Sequence, residues 1–303
     1  MDYLKQDIMA NPKILLWGPS GSGKTCLLNA FAREIHFLSK KNEFSAYSLL
    51  DKRSRIPVSY LWNKEFGAPT TRAEDLDFVF INNIKKPKLK DIEHTIRVYE
   101  DRGDALVQAL NQSRGSTIAG SSLREATHII ALIDLTLITD SVWEKHIPKS
   151  KQAISKIEYL NYIQKLIQIA SEKSYPLNIA ICLNKMDLSS LRWEDPRTLI
   201  EIYLGINFLD TIMYHARGNI NISFFVTSAM GYFYDKEGIE HPNYDANKSG
   251  PLHENEWQPW NVSAPFFWMF NEIERQKIER SRKISFAWKQ TEEDVPSYPK
   301  PFY

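Results

Sequence analysis

The chain has 303 residues, and its 38 Lys and Arg residues nearly balance its 37 Asp and Glu residues, for a net charge of +1. A protein held on nucleic acid mainly by phosphate contacts usually carries a clear basic excess, which is missing here. No apolar run reaches the roughly 18 residues of a membrane span, and the N-terminal residues do not resemble a signal peptide. The two cysteines, Cys26 and Cys182, make no disulfide framework, so we expect a cytoplasmic protein.

Predicted strands and helices alternate along the chain. Continuous or alternating apolar residues predict strands at 13–17, 76–81, 95–99, 128–132, 177–183 and 222–226. Apolar residues at helical spacing predict helices at 25–38, 151–173 and 196–216. This order predicts an α/β fold with a mostly parallel sheet and helices on both faces. Three longer segments interrupt the alternation, at 39–69, near 136–155 and at 231–265, and we interpret the last as a long, partly ordered loop.

The first predicted strand leads into Gly-Pro-Ser-Gly-Ser-Gly-Lys-Thr at 18–25. This is the phosphate-loop pattern, in which glycines let backbone N–H groups turn toward phosphate oxygens. Lys24 supplies a positive charge and the Thr25 hydroxyl a ligand for Mg²⁺, while the next helix directs its positive end at the phosphates. The predicted nucleotide-binding residues of this loop are Gly18, Ser20, Gly21, Ser22, Gly23, Lys24, Thr25 and Cys26.

A second motif, Asn184-Lys185-Met186-Asp187, follows the predicted strand 177–183 directly. A carboxylate such as Asp187 accepts two hydrogen bonds from guanine, at N1–H and the exocyclic amino group, whereas adenine offers no such pair of donors. The aliphatic stem of Lys185 would cover one face of the base. An alternative is that Asp187 caps the N-terminus of a helix.

With these two motifs in this order, the chain resembles P-loop GTPases of the translation-factor and Ras-like (TRAFAC) class over roughly residues 12–280. The resemblance implies a P-loop NTPase fold: an enlarged Ras-like domain over 1–283 with insertions at the three longer segments, followed by a tail over 284–303. It implies GTP or GDP and Mg²⁺ as ligands. It also assigns the backbone N–H groups of Ser228 and Ala229, after the last strand, to the guanine O6.

The resemblance further implies two segments that sense the γ-phosphate. One contains a threonine that binds Mg²⁺ ahead of the second strand of the family's fold. Thr70 is favoured for this role because it follows Pro69 directly, and Thr71 is the alternative.

The other sensing segment is Glu100-Asp101-Arg102-Gly103, where Gly103 would contact the γ-phosphate. Glu100 stands where the family has an aspartate near Mg²⁺, and Asp101 is an alternative one residue out of register. Asp104 replaces the family's water-orienting glutamine, so we expect slow hydrolysis without an activator. The candidate catalytic residues are therefore Lys24, Thr70, Gly103 and Asp104, and the candidate metal ligands are Thr25, Thr70 and Glu100.

Three functions remain open from the sequence. The leading hypothesis is a GTP-hydrolysing switch whose nucleotide-ordered loops a partner protein recognises. The long loop followed by an apolar helix at 263–270 is similar to bacterial double-GTPase-type domains of defence or conflict operons, which also implies a protein partner. The second hypothesis is a nucleotide-binding scaffold with little hydrolysis, favoured by Glu100 and Asp104. The third is an ATPase or small-molecule kinase in which Asp134 holds Mg²⁺, whereas a GTPase would use Asp134 structurally at a strand end.

Overall fold

The computed structural model describes residues 13–19, 21–41, 45–51, 74–84, 92–100, 123, 125–138, 156–172, 177–189, 191, 194–216, 220–244 and 251–284. Seven strands form the main sheet: β1 (Lys13–Trp17), β2 (Ser45–Asp51), β3 (Glu74–Ile84), β4 (Ile92–Glu100), β5 (His128–Asp134), β6 (Leu177–Asn184) and β7 (Ile220–Val226). Their order across the sheet is β2-β3-β4-β1-β5-β6-β7. Strands β4, β1, β5, β6 and β7 run parallel, whereas β3 is antiparallel to both β4 and β2. The mostly parallel sheet predicted from the alternation is confirmed.

The described helices are α1 (Lys24–Lys41), α2 (Leu135–Ile138), α3 (Lys156–Ser171), α4 (Pro196–Leu204), α5 (Ile206–His215) and α6 (Ala264–Ile284). A two-stranded hairpin consists of β8 (Tyr232–Tyr234) and β9 (Glu240–Pro242), and 3-10 turns lie at Met186–Leu188 and Glu254–Glu256. In the part of the chain that the structure describes, no helix is both long enough and apolar enough to cross a membrane.

Two apolar clusters cover opposite faces of the sheet, because successive side chains of a strand point to opposite sides. Leu15 and Trp17 of β1 belong to the cluster that includes residues of α3, α4 and α5. Ile14 and Leu16 belong to the cluster that includes residues of α1 and α6. Near-continuous apolar runs such as 177–183 are therefore central strands covered on both faces, as their composition predicted.

The structure differs from the predicted elements at three places. The helical pattern at 196–216 is two helices, because Gly205 between them adopts φ 93° and ψ 152°, a conformation that side chains disfavour. The segment 39–69 contributes the edge strand β2. The segment 231–265 contains the β8–β9 hairpin and a 3-10 turn, so its described residues are more ordered than the predicted loop. The division into a domain over 1–283 and a tail stays a prediction, because residues 285–303 lie outside the described part.

Candidate nucleotide-binding site

The two sequence motifs meet at the edge of the sheet where the parallel strands end. In the register of the sheet, Asp134 at the end of β5 lies opposite Asn184 at the end of β6, and Leu183 lies opposite Val226 of β7. Leu16 of β1 lies opposite Glu100, the last residue of β4. Open α/β sheets bind ligands outside the carboxyl ends of their strands. The topology therefore places the phosphate-loop pattern and the Asn-Lys-x-Asp motif beside one another.

The loop between β1 and α1 favours glycine for two reasons, positive φ at Gly21 and Gly23 and close packing at Gly18 and Gly23. Gly21 and Gly23 have φ of 79° and 90°, a region that favours glycine. A Cβ atom on Gly23 would lie 2.8 Å from Nδ2 of Asn184, and one on Gly18 would lie 2.5 Å from Oγ of Ser22. The glycine pattern of the sequence thus reflects both backbone conformation and close packing against β6.

Lys24 places its ammonium group inside the curve of this loop. Its Nζ donates hydrogen bonds to the carbonyl oxygens of Gly18, at 2.9 Å, and Pro19, at 3.3 Å, and the residue is only 6% exposed. Thr25 and Cys26 follow in the first turn of α1 and are partly exposed. A buried ammonium group and a helix N-terminus at one place create an electropositive site suited to an anion such as phosphate.

Asn184 joins three segments of the site. Its Nδ2 donates to the carbonyl oxygen of Ser22 at 2.9 Å, and its Oδ1 accepts from the Thr227 hydroxyl at 3.1 Å. The side chain is buried, so both polar ends need these partners. Asn184 therefore holds the phosphate-loop pattern, the end of β6 and the end of β7 in one arrangement.

Lys185 reaches from the Asn-Lys-x-Asp motif back to the loop. Its backbone is left-handed, with φ 64°, a conformation that costs a non-glycine residue roughly 1–2 kcal/mol. Its Nζ donates to the carbonyl oxygen of Gly21 at 3.1 Å and to Oδ2 of Asp134 at 2.6 Å. The other oxygen of Asp134 accepts from the backbone N–H and hydroxyl of Thr136, at 2.8 and 2.7 Å. Both oxygens of Asp134 are thus engaged within the protein, which supports the structural role expected for it in a GTPase.

Asp187 is a buried acid whose neighbours act on it in opposite directions. It is 5% exposed, and its Oδ1 accepts a short hydrogen bond from the Ser228 hydroxyl. Burial raises the pKa of Asp187 to about 6, and the Ser228 hydrogen bond works against that rise. The residue that caps α4 is Asp195, whose Oδ2 accepts from the N–H of Thr198 at 3.0 Å. The cap alternative for Asp187 therefore does not describe this structure.

A segment that the sequence analysis missed braces the loop after β7. We call residues 257–263 the strap. The backbones of Ser228 and Trp260 exchange two hydrogen bonds, of 3.0 and 2.9 Å. The indole N–H of Trp257 donates to the carbonyl oxygen of Ala229 at 2.8 Å, and Nδ2 of Asn261 donates to that of Val226 at 2.9 Å. The only sequence signal was the aromatic content of the predicted loop, which does not indicate what the aromatic residues contact.

Several predicted residues cannot be placed in this geometry. Ser20, Thr70, Gly103 and Asp104 lie outside the described residues. Glu100 is described only as the backbone end of β4, where it lies beside β1 at the carboxyl edge. The proposed sensing segments therefore stay predictions.

Strand order and the loop between β1 and α1 together decide the fold. This is a P-loop NTPase fold. No family model matches the chain, and none of the curated proteins matches it. Among solved structures, the chain resembles P-loop GTPases.

One similar structure is the signal recognition particle receptor SRb-GTP/SRX complex from Chaetomium thermophilum, at 14% identity and a TM-score of 0.44 over 73% of this chain and 94% of that one. Another is the GTP-bound Ski7 GTPase-like domain from S. cerevisiae, at 18% identity and a TM-score of 0.38 over 78% of this chain and 47% of that one. A third is the GDP complex of the ADP-ribosylation factor-like, small COPII coat GTPase SAR1 from Encephalitozoon cuniculi. It has 13% sequence identity and a TM-score of 0.33 over 92% of this chain and 90% of that one. The chain spans about half the length of the Ski7 chain. All three TM-scores lie below 0.5, so the fold assignment rests on the strand order and the loop.

Proposed function

We propose that this protein binds GTP and GDP with Mg²⁺ and acts as a GTP-hydrolysing switch for a partner protein. The observation that carries the proposal is the position of Asp187, a buried carboxylate fixed by Ser228 in the same motif as Asn184, which bonds to the phosphate loop at Ser22. Burial of a carboxylate is costly, and a ligand with two matched donors offsets that cost.

Guanine fits this carboxylate better than adenine does. The N1–H and amino group of guanine donate to one carboxylate, whereas adenine would leave the buried acid unpaired. The side chain of Lys185 is fixed at its ammonium end by Asp134 and Gly21, so its aliphatic stem is held ready to cover the base. The N–H of Ser228 is already bonded to Trp260, so Ala229 supplies the N–H of this motif for the guanine O6.

The phosphates belong at the loop between β1 and α1. Lys24 and the first turn of α1 supply the positive charge, and the glycines leave room for backbone N–H groups to approach phosphate oxygens. Mg²⁺ would neutralise charge on the β- and γ-phosphates, with the Thr25 hydroxyl as its ligand in the first turn of α1. Thr70 and Glu100 are the further ligands proposed from the sequence, and Gly103 and Asp104 the proposed sensor and water-orienting residues.

The second candidate is a nucleotide-binding scaffold that hydrolyses little or no GTP. The observation in its favour is chemical: Glu100 and Asp104 replace the residues with which the resembled family holds the Mg²⁺ shell and orients water. An ATPase is less well supported, because both oxygens of Asp134 are occupied by Thr136 and Lys185.

Competitive binding of GTP, GDP and ATP in Mg²⁺, with phosphate release followed in the same samples, tests the proposal. We expect guanine nucleotides to bind at least a hundredfold more tightly than ATP, about 2.7 kcal/mol. Phosphate release distinguishes the switch from the scaffold. Equal or tighter binding of ATP would overturn the guanine assignment.

Two variants locate the site. Asp187→Asn should move the preference from GTP toward XTP, because xanthine presents an acceptor where guanine presents its amino donor. Lys24→Ala should abolish binding of every nucleotide. Wild-type GTP affinity in the Asp187→Asn protein would show that this carboxylate does not contact the base.

A further inference from the structure

The strap joins the loop after β7, at the proposed base site, to the middle of α1. On one side it meets the loop after β7, through the Ser228–Trp260 backbone pair and the hydrogen bond from Trp257 Nε1 to Ala229. These contacts hold the two residues proposed to lie beside the base. Trp257 is buried, so its indole N–H makes this bond away from competing water.

On its other side the strap is held by α1, the helix that starts at the phosphate loop. Nε of Arg33 donates to the carbonyl oxygen of Trp257 at 2.6 Å, and the Arg33 guanidinium lies 4.8 Å from the centroid of the Trp257 ring. Oε2 of Glu34 accepts from the backbone N–H of Ser263 at 2.5 Å. Two consecutive residues of α1 therefore anchor the two ends of the strap.

We propose that the strap sets the position of the Ser228–Ala229 loop for base recognition, with Trp257 as the positioning residue and Arg33 as its anchor on α1. This inference rests on the proposed function, because it assigns a role in guanine binding to residues that do not touch the nucleotide. The Trp257–Ala229 bond fixes the peptide carbonyl next to the N–H that would meet the guanine O6. Loss of this bond therefore weakens the contact with O6. The phosphate contacts come from other residues, so they should not change.

The effect of Trp257 should appear in base selectivity. Trp257→Phe removes the indole N–H and keeps an aromatic ring. A single neutral hydrogen bond contributes modestly in net terms, so we expect GDP to bind about two- to tenfold more weakly. ADP binding, which depends on the phosphate loop, should not change, so the ratio of GDP to ADP affinity should fall by the same factor.

The experiment measures the dissociation constants of GDP and ADP in Mg²⁺, with thermal unfolding, for the full chain and three variants. Trp268→Phe is the matched control, because Trp268 lies on α6 against Phe225, whereas the described strap hydrogen bonds to Ser228 and Ala229 come from Trp260 and Trp257. Arg33→Lys is the second test variant, because it disturbs the anchor while leaving the Trp257 side chain unchanged. It also keeps the inference testable if Trp257→Phe does not fold.

A fall in the GDP-to-ADP ratio for Trp257→Phe or Arg33→Lys, with the ratio unchanged in Trp268→Phe, supports the inference. It is overturned if neither test variant lowers the ratio, or if Trp268→Phe lowers it equally. A variant that lowers the melting temperature but leaves the GDP-to-ADP ratio unchanged shows that the replaced residue has a structural role only, and so counts against the inference. Absence of guanine preference in the wild-type chain would instead overturn the proposed function, and that result appears before any variant is compared.

Discussion

The protonation of Asp187 links the local environment of one side chain to ligand affinity. Only the ionised carboxylate accepts both hydrogen bonds from a guanine base. Burial raises its pKa to about 6, and the Ser228 hydroxyl opposes that rise. Ser228 therefore favours the ionised form of Asp187, which the proposed guanine contact needs, in addition to fixing the orientation of the carboxylate.

This balance predicts how pH changes nucleotide affinity. GDP affinity of the wild-type protein should be nearly constant above about pH 7 and fall as the pH drops through 6, because the acid becomes protonated over that range. Ser228→Ala removes the hydrogen bond that lowers the pKa, so the pH at which affinity begins to fall should move upward. Titration of GDP binding between pH 5 and 8 measures this shift. Ser171→Ala, an exposed site on α3, should leave the profile unchanged, and a downward shift in Ser228→Ala would contradict the argument.

For single residues, the sequence predicts which chemical groups a site contains better than it predicts which residues contact one another. The places of Lys24 and Asp187 after β1 and β6 could be predicted because their motifs are short and follow apolar strands, whereas their roles stay predictions. The bond between Ser228 and Asp187 joins residues 41 positions apart. Its existence depends on β6 and β7 being neighbours, which the sequence alone does not state.

Among the structural elements, the junction of β1, α1 and β6 depends on two glycines with different surroundings. Gly21 and Gly23 both have positive φ, but only Gly23 faces a neighbouring side chain at close range. The Asn184 amide lies where a Cβ atom on Gly23 would need space, whereas none of the described residues lies within 4 Å of such an atom on Gly21.

The two glycines form a matched pair for a stability test. Gly21→Ala should cost about 1–2 kcal/mol for the left-handed backbone alone. Gly23→Ala should cost more, because it also displaces Asn184 and weakens its bond to Ser22, a further loss of roughly 1 kcal/mol. Urea denaturation of the nucleotide-free protein compares them. Equal losses in the two variants would show that the contact with Asn184 relaxes without cost.

The central strands were predicted well, and so was the edge strand β7, which contains the predicted run 222–226, whereas the edge strand β2 was missed. The bounds of β1 were predicted to the residue, and the runs at 128–132 and 177–183 lie within β5 and β6. Strand β2 was missed because an edge strand needs no continuous apolar run. The break at Gly205 was missed because a single glycine is tolerated in a helical pattern. The strap was missed because its side-chain bonds to β7 and the loop after it join residues 28 to 35 positions apart, and its bonds to α1 join residues 224 and 229 positions apart.

For the molecule as a whole, α6 is part of the core on one face of the sheet. Phe266 is fully buried and stacks on Phe31 of α1 with ring centroids 3.9 Å apart. Phe267 and Phe270 belong to the same cluster. This packing joins α6, as far as Ile273, to the core formed with α1, and the domain boundary at residue 283 stays a prediction.

Removal of the Phe266 ring tests whether α6 folds with the rest of the domain. Phe266→Ala should lower the free energy of unfolding by about 3–5 kcal/mol in a single cooperative transition. Phe233→Ala, a partly exposed site on the hairpin, should cost much less. Denaturation followed by circular dichroism and by tryptophan fluorescence gives the comparison. Two separate transitions in the wild-type protein would show that α6 is a detachable element.

The opposite end of the sheet carries a titratable group that links global stability to pH. His128, the first residue of β5, is buried and bonds through its ring nitrogens to Thr127, at 2.8 Å, and Asn178, at 3.0 Å. Burial lowers its pKa from 6.5 to about 3. Below pH 6.5 the unfolded chain takes up a proton at this residue, while the folded chain does not until about pH 3.

The contribution of His128 is therefore complete above pH 6.5 and decreases as the pH falls toward 3, by up to about 1.4 kcal/mol per pH unit. His128→Gln should lower the free energy of unfolding at pH 8, because replacing the ring disturbs its buried hydrogen bonds. It should also flatten the pH dependence of that free energy between pH 6.5 and 4. His253→Gln removes an exposed histidine and should leave the slope unchanged. Urea denaturation at several pH values gives the slopes. An unchanged slope in His128→Gln would mean that the buried ring accepts a proton in the folded state, and that other groups dominate acid sensitivity.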